Sequence, residues 1–419
     1  MSEYLKIGKR QYIDRAFWVI FIALVVVSVL ALFSASSTLI RQATAHGLNP
    51  VSPIALQIVY LLAGVAIAYG LQFLPSWLFR LAGYALFAVG LVFLLLNAAH
   101  IGVTINGATR WIRIGAITIQ SSEIAKLGLI IVVSDLLTRI KDDYTQRRYF
   151  WFVIVLTGIT CLLIMFSNLS TAILLGGVIV LLMIIARIPW KWLAGIIGVA
   201  ATVLVLGYFI VEFGFVRQEK RLTGPFARAT VWVSRIDNKL LEHKDSNQAA
   251  LKINDDNYQA MLARVAVARG GQSFFGVLPG NSVERDHLPL AYADYIFAII
   301  VEETGMFGSI ALVFIYLAIL FRACFTSSRY SDYSAQLMVM GLGLMITVQA
   351  LVSMAVAVGL GPVTGQPLPM ISKGGTSAII TSIYFGIMMG VAREQNEKKA
   401  QQDAVTIESR NEIPDIEVE

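Results

Sequence analysis

LPLAYADYIFAIIVEETGMFGSIALVFIYLAILF (288–321) decides how this chain is read. It starts as the end of a polar loop and becomes an apolar run long enough to cross roughly 30 Å of hydrocarbon. Asp294 stands where the one becomes the other. A carboxylate at the mouth of a membrane helix is costly to desolvate, so it normally has a partner or a task. ETGMFG interrupts the run and predicts a break near Gly305.

The rest of the chain has the same character. Its 419 residues are 57% hydrophobic and 14% charged, with mean hydropathy +0.71, whereas soluble domains are about a quarter charged. Apolar runs near 16–36, 54–74, 77–98, 122–138, 149–166, 171–188, 191–213, 293–323, 335–358 and 372–392 predict about ten transmembrane helices. A membrane β-barrel of short alternating strands is the weaker reading, because the segments are too long and apolar on all sides. An all-α polytopic membrane protein follows. A single domain over 1–393 carries one long loop, 214–292, between helices seven and eight. The polar tail 394–419 ends in IPDIEVE and reads as a disordered cytoplasmic extension.

Lys and Arg in short loops set orientation. Lys6, Lys9, Arg10, Arg15, Arg80, Arg139, Arg147, Arg148, Arg187, Lys191, Arg322 and Arg393 fall on one side. The opposite short loops hold only Arg41, Arg110, Arg113 and Lys373. Both termini are therefore expected in the cytoplasm and the long loop outside. The net charge of +6 reflects these anchors and does not argue for a nucleic-acid partner. The two cysteines and four histidines show no metal or disulfide spacing. Ser34-Ala35-Ser36 imitates a signal cleavage site, but the apolar run before it is long and favours an uncleaved first helix. No nucleotide-binding loop is present.

Several outer constellations could carry chemistry. Glu123 and Lys126 lie three apart on a helix that Ser121 or Ser122 would cap, within ion-pairing reach. They read either as a structural lock or as the wall of a polar cavity. Arg110, Trp111 and Arg113 read as an interfacial loop or as one side of an outward groove. Arg217 and Arg221 share a face if their stretch is helical, and two guanidinium forks suit a diphosphate. NYQAMLARVAVARGG (257–271) predicts an interfacial helix with a Met261, Val265 and Ala268 stripe. Asp294 suits either a general base or a helix cap. Glu302 and Glu303 cannot face one direction on a helix, and read as structural partners of Lys126 or an arginine. In GPVTGQPLPMISKGGTS (361–377), Ser372 and Lys373 open the last helix as a plausible anion seat, or as a capped Pro-Gly turn.

Together, NGATRWIRIG (106–115), SSEIAKLGL (121–129), the paired arginines, GNSVERDHLP (280–289) with AYADYIFAIIVEE (291–303), and GQPLPMISKGGTS (365–377) resemble the SEDS family (shape, elongation, division and sporulation), in order and over nearly the whole chain. Asn281 and Ser282 resemble its cell-division, FtsW-like branch more than its elongation branch. The resemblance implies a peptidoglycan glycosyltransferase that polymerises lipid II at the outer face of the cytoplasmic inner membrane. It implies a class B penicillin-binding protein, a single-span transpeptidase, as partner, with other divisome or elongasome proteins. It makes Asp294 the catalytic base and maps the family's arginine pair onto Arg217 and Arg221; the residues' own chemistry adds Lys373, Ser372, Arg110, Asn281 and Ser282 as substrate-side candidates. Glu123, Lys126, Glu302 and Glu303 shape the cavity. It allows a divalent cation, Mg or Mn, at the pyrophosphate, although no all-protein site is visible. The chain departs from the family pattern at Leu290, Tyr292 and Ala293, where Glu, His and Thr are usual, at Ser167–Ser170, and at Lys373, where Tyr is common. A lipid II flippase and a noncatalytic scaffold for a partner synthase are the competing readings. A flippase is disfavoured by the lack of an internal repeat and by polar groups gathered on one side.

Overall fold

The computed structural model describes residues 12–36, 51–105, 108–115, 117–140, 142–216, 258–288 and 291–411, with scattered positions in 40–49 and 230–233. The apolar runs form α1 (Arg15–Ala35), α2 (Ser52–Leu71), α3 (Ser76–Ala98), α4 (Ser121–Thr138), α5 (Asp143–Met165), α6 (Leu169–Ile185), α7 (Trp190–Val211), α9 (Ile296–Ser327), α10 (Tyr333–Ala357) and α11 (Gly375–Asn411). A shorter helix, α8 (Tyr258–Gly271), lies in the long loop. Among the described residues eight helices are long and apolar enough to cross a membrane. The other two long ones are the 17-residue α6 and α4, which carries Glu123, Lys126 and Asp135. The protein is a multi-pass membrane protein.

Helix starts follow local chemistry. Asp14 accepts from the amides of Ala16 and Phe17 at the head of α1. Asp142 and Thr145 form a reciprocal capping box on α5, while Asn168 and Asp332 cap α6 and α10. Such side chains satisfy amides that the first turn leaves orphaned. Pro75 and Pro189 end the preceding turns and pre-set the entries to α3 and α7.

Three features differ from the sequence reading. The segment expected as an interfacial loop is a three-stranded antiparallel sheet, β1 (Val103–Ile105), β2 (Ala108–Ile114) and β3 (Ile117–Gln120). Ile105 pairs with Ala108 across Asn106-Gly107, a pair that lies outside the described residues but is the commonest two-residue hairpin connection. Second, α4 begins after Gln120, and neither Ser121 nor Ser122 caps it. Their hydroxyls instead accept from Asn97 and Gln120. Third, α11 does not stop near 392 but continues to Asn411. Ion pairs Arg393–Glu397 and Lys398–Glu394 lie along this polar continuation, and 412–419 lie outside the described residues.

α4 and α10 run through the centre, buried along nearly their whole length. α3 packs along α4, α2 along α11, and α9 along α10. α7 lies at the periphery with only Leu193 buried. This placement explains the composition of α4: charges are tolerated in a membrane helix when neighbouring helices, not lipid, surround them. On the face bearing both described chain ends, Arg322 forks onto Asp14 at 2.6–3.2 Å, and Arg393 donates to the carbonyl of Gln72. Asn396 reaches the carbonyl of Tyr12, so the two ends meet.

Candidate functional site

On the opposite face, residues 361–374 leave the end of α10, dip into the bundle without helical structure, and emerge at α11. Backbone that is not helical can sit at this depth only if protein satisfies its polar groups. Here it does. The carbonyl of Gln366 accepts from Ser353 (3.0 Å) and that of Pro367 from Gln349 (3.2 Å), both on α10. The carbonyl of Pro369 accepts from Tyr316 on α9 (2.5 Å), and that of Met370 from Ser28 on α1 (2.7 Å). Leu368, Met370 and Ile371 fill the space between with buried side chains.

This loop faces Asp294. The α-carbon of Gly365 is so placed that a β-carbon added there would lie 3.6 Å from Asp294 Oδ2. Ser372 ties the two segments together: its hydroxyl donates to the carbonyl of Ala293 (2.5 Å) and accepts from the amide of Leu368 (2.8 Å). The Lys373 amide donates to the carbonyl of Tyr292 (2.8 Å). α9 starts one residue after Asp294, with Tyr295 at the N-cap position. Asp294 is half-buried and sits ahead of the helix. The Lys373 ammonium stands 5.1 Å from the centroid of the Tyr292 ring. Burial holds that lysine below its ordinary pKa. Burial, and then the Asp294 carboxylate, push the Tyr292 phenol above its own.

Behind the loop lies the predicted Glu123–Lys126 pair. The two side chains meet at 2.6 Å and are 5% and 0% exposed. Lys126 also donates to Gln349 Oε1 (3.0 Å), and Gln349 Nε2 donates onward to Pro367. A buried ammonium is therefore linked through one amide to the backbone of the loop beside Asp294. Sequence reasoning placed the pair on a shared face but missed Gln349, which is 223 positions from Lys126. Gln366 adds a parallel tie by donating to Thr171 on α6.

Glu302 and Glu303 act as structural partners, though not of Lys126. Glu302 accepts from the Ser282 hydroxyl and the Val283 amide (3.2 Å), and lies 3.8 Å from Arg269. Glu303 accepts from the Gly280 amide (3.0 Å) and from Ser34, the serine of the apparent cleavage site. The break at Gly305 is present, at φ 65° and ψ −155°. It exposes backbone groups that the 273–277 segment takes up: Phe307 donates to Phe274 (3.0 Å), and Val277 donates to Glu302 (2.9 Å). A β-carbon at Gly305 would sit 2.3 Å from the Gly276 nitrogen, so the close approach requires glycine. α8 packs on this part of α9 through Ala263, Ala266 and Gly270. The predicted Met261, Val265 and Ala268 stripe is not the packing face; Val265 and Ala268 are exposed. Small residues win because they let the backbones approach.

The remaining predicted residues are more scattered. Arg110, on β2, donates to the carbonyl of Ser167 (3.1 Å). Asn281 is exposed and donates to Val277 (3.1 Å). Ser282 is buried against Glu302. Thr376 joins β3 to the start of α11 by donating to Thr118 (3.0 Å). Arg217, Arg221 and Leu290 lie outside the described residues.

The fold and this arrangement define a polytopic helical membrane protein with an ionic site on one face, in which a half-buried carboxylate meets a loop anchored by four helices. The chain belongs to the cell cycle protein family FTSW_RODA_SPOVE, whose family model matches residues 14–397. It is 28% identical over 388 residues to the "Probable peptidoglycan glycosyltransferase FtsW" of Enterococcus hirae, covering 91% of this chain and 92% of that one. It is 32% identical over 348 residues to a protein of the same name from Hahella chejuensis, covering 80% of each. Its fold matches that of Thermus thermophilus rod shape determining protein RodA with TM-score 0.62 and 22% identity, over 91% of this chain and 97% of that one. It also matches a chain of a peptidoglycan synthase complex that coordinates polymerization and crosslinking, with TM-score 0.70 and 23% identity, over 91% of this chain and 98% of that one.

Proposed function

We propose that this chain is a peptidoglycan glycosyltransferase that polymerises lipid II in cell division, with Asp294 as its general base. The donor is a growing glycan on undecaprenyl pyrophosphate and the acceptor is lipid II. Asp294 takes the proton from the acceptor GlcNAc hydroxyl. The resulting oxygen attacks the anomeric carbon of the donor MurNAc, that carbon's bond to the diphosphate oxygen breaks, and undecaprenyl pyrophosphate leaves. Arg217, Arg221 and Lys373 receive its charge, the electrostatic contribution expected where an anion departs in a low-dielectric site. Glu123, Lys126, Glu302 and Glu303 hold the walls, while Ser372, Arg110, Asn281 and Ser282 border the substrate.

The observation that carries this reading is the half-buried Asp294, two residues beyond a tyrosine that stacks on Lys373, with the 361–374 loop against it. The Lys and Arg asymmetry supports a site on the outside of the inner membrane with both termini in the cytoplasm. The synthase complex with a similar chain supports a class B penicillin-binding protein as partner, with other divisome proteins around it. Among the described residues no three His, Cys, Asp or Glu side chains converge on a metal position. A divalent cation, Mg or Mn, at the pyrophosphate stays part of this reading, and the substrate's own phosphate oxygens would supply much of its coordination.

The test is polymerisation of lipid II by the purified protein with its partner. Asp294→Asn should abolish strand formation while expression and partner binding persist. Retained polymerisation would remove Asp294 from the chemistry. Failure of the wild-type complex to polymerise would leave a scaffold.

A further inference from the structure

A second cavity lies beside the Asp294 segment, between α2, the small sheet and the first turn of α11. It has a volume of about 200 Å³ and is bordered by Gln57, Tyr60, Trp111, Lys373, Gly375 and Thr376. Two features distinguish it from a packing void. Gln57 is 2% exposed, yet its Nε2 amide has no hydrogen-bond partner. A buried amide left unsatisfied is costly, so it calls for an explanation such as a bound group. Lys373 brings an ammonium that no carboxylate pairs with among the described residues, and it lies over the Tyr292 ring.

Two of the side chains that border this space carry hydrogens to donate. The Lys373 ammonium and Gln57 amide supply hydrogens. Gly375 and Thr376 form the first turn of the 37-residue α11, whose orphan amides and dipole favour an anion. The Thr376 hydroxyl donates to Thr118 and so is already committed to the wall. Tyr60 and Trp111 add aromatic surface without charge. The cavity is smaller than the roughly 300–1,000 Å³ of a site that encloses a whole small ligand. It suits an anionic group whose remaining mass lies outside.

We propose that this cavity is an anion seat that takes the phosphate of a lipid-linked sugar, with Lys373 and Gln57 as its two side-chain donors. This deepens the glycosyltransferase reading and rests on it for the identity of the lipid. The seat adjoins the reacting segment because the Lys373 amide is bonded to the carbonyl of Tyr292, two residues before Asp294. The half-buried lysine's depressed pKa fits an ammonium waiting for an anion in a desolvated position.

The test uses the full-length chain in phosphatidylcholine vesicles, titrated with undecaprenyl diphosphate, inorganic pyrophosphate or phosphatidylglycerol. Undecaprenyl diphosphate should bind saturably to wild type. Lys373→Met should weaken it about tenfold or more, the scale of one charge-assisted contact. Gln57→Leu should weaken it by about threefold to tenfold, and Gln57→Glu, which sets a carboxylate in the seat, by more. Lys373→Arg keeps the charge and should retain binding, which guards against a Lys373→Met variant that fails to fold. Competition by pyrophosphate would support recognition of the phosphate itself. Equal binding of phosphatidylglycerol would overturn the assignment in favour of a general phospholipid seat. Unchanged binding in both Lys373→Met and Gln57→Leu would overturn it outright. The two readings fail separately. A wild type that binds the diphosphate through these residues but never polymerises keeps the seat and loses the enzyme. Normal KM for lipid II in both variants keeps the enzyme and loses the seat.

Discussion

The chain holds two clusters of charge within reach of one loop, and they are built in opposite ways. Around Lys126, Glu123 and Gln349, the ammonium meets the carboxylate and the Gln349 amide, and both charged side chains are buried. Around Tyr292, Asp294 and Lys373 the groups are half-buried, the lysine rests on an aromatic ring, and a neighbouring amide on Gln57 has no partner. A satisfied buried pair fixes geometry and resists change. A half-buried ammonium with no ion-pair partner among the described residues, bordering a cavity, is ready for something that is not protein. The contrast separates two roles that residue type alone could not.

The largest expected effect tests the open cluster. Asp294→Asn removes the base but keeps shape, and should lower polymerisation by about 10²–10⁴-fold, the range for a positioned general base, without moving the thermal midpoint. A lowered midpoint with proportionate activity would reassign Asp294 to the structural side. The closed cluster should respond in the opposite sense. Lys126→Met strands a buried carboxylate and should cost about 3–5 kcal/mol of stability, read as a lower melting midpoint and poor yield. Glu123→Gln combined with Lys126→Met should recover most of that stability, and a double variant that melts no higher than the single would break the contrast.

Gly305→Ala tests the contact between the α9 break and the 273–277 segment. The left-handed backbone alone costs about 1–3 kcal/mol for a residue with a side chain, and the new β-carbon would meet the Gly276 nitrogen and the Ser273 carbonyl oxygen. Faster proteolysis within 272–283 is the expected readout; wild-type resistance would mean the contact is dispensable. The smallest effect concerns pH. Burial lowers the pKa of Lys373, so its charge is full at low pH and is lost earlier than for an ordinary lysine as pH rises. The groups facing it are the Tyr292 phenol, itself shifted upward, and Asp294 beyond it. KM for lipid II should climb on the alkaline side, and Lys373→Arg should remove that climb. An identical alkaline limb in the arginine variant would assign it elsewhere.

Much of the scaffold was legible because membrane spans announce themselves through length and polarity. The ten long helices begin and end within a few residues of the apolar runs, apart from the late start of α9 after Asp294, the early start of α5 and the continuation of α11. Glu123 and Lys126 were legible because helical spacing puts them on one face. The Gly305 break was legible because a polar, glycine-bearing interruption divides one run. Other features left weaker marks. The sheet at 103–120 hid behind an interfacial reading of its arginines and tryptophan, although Asn106-Gly107 is a hairpin signal. Gln349 and Ser34 find their partners only in the tertiary fold, each more than 200 positions away. No periodicity reports such a contact. The one available hint was a lone amide in an otherwise greasy helix, which usually marks something.

The segment from Gln366 to Met370 has a further consequence for how the molecule is assembled. Its backbone is held by side chains from α1, α9 and α10, one of them 342 positions distant. Contacts of such separation in sequence form late, because long intervening chain must first be brought to order. The loop beside Asp294 therefore takes its final form only once α1, α9 and α10 have closed around it, and a chain that has not yet brought Ser28 to Met370 lacks this wall of the candidate site.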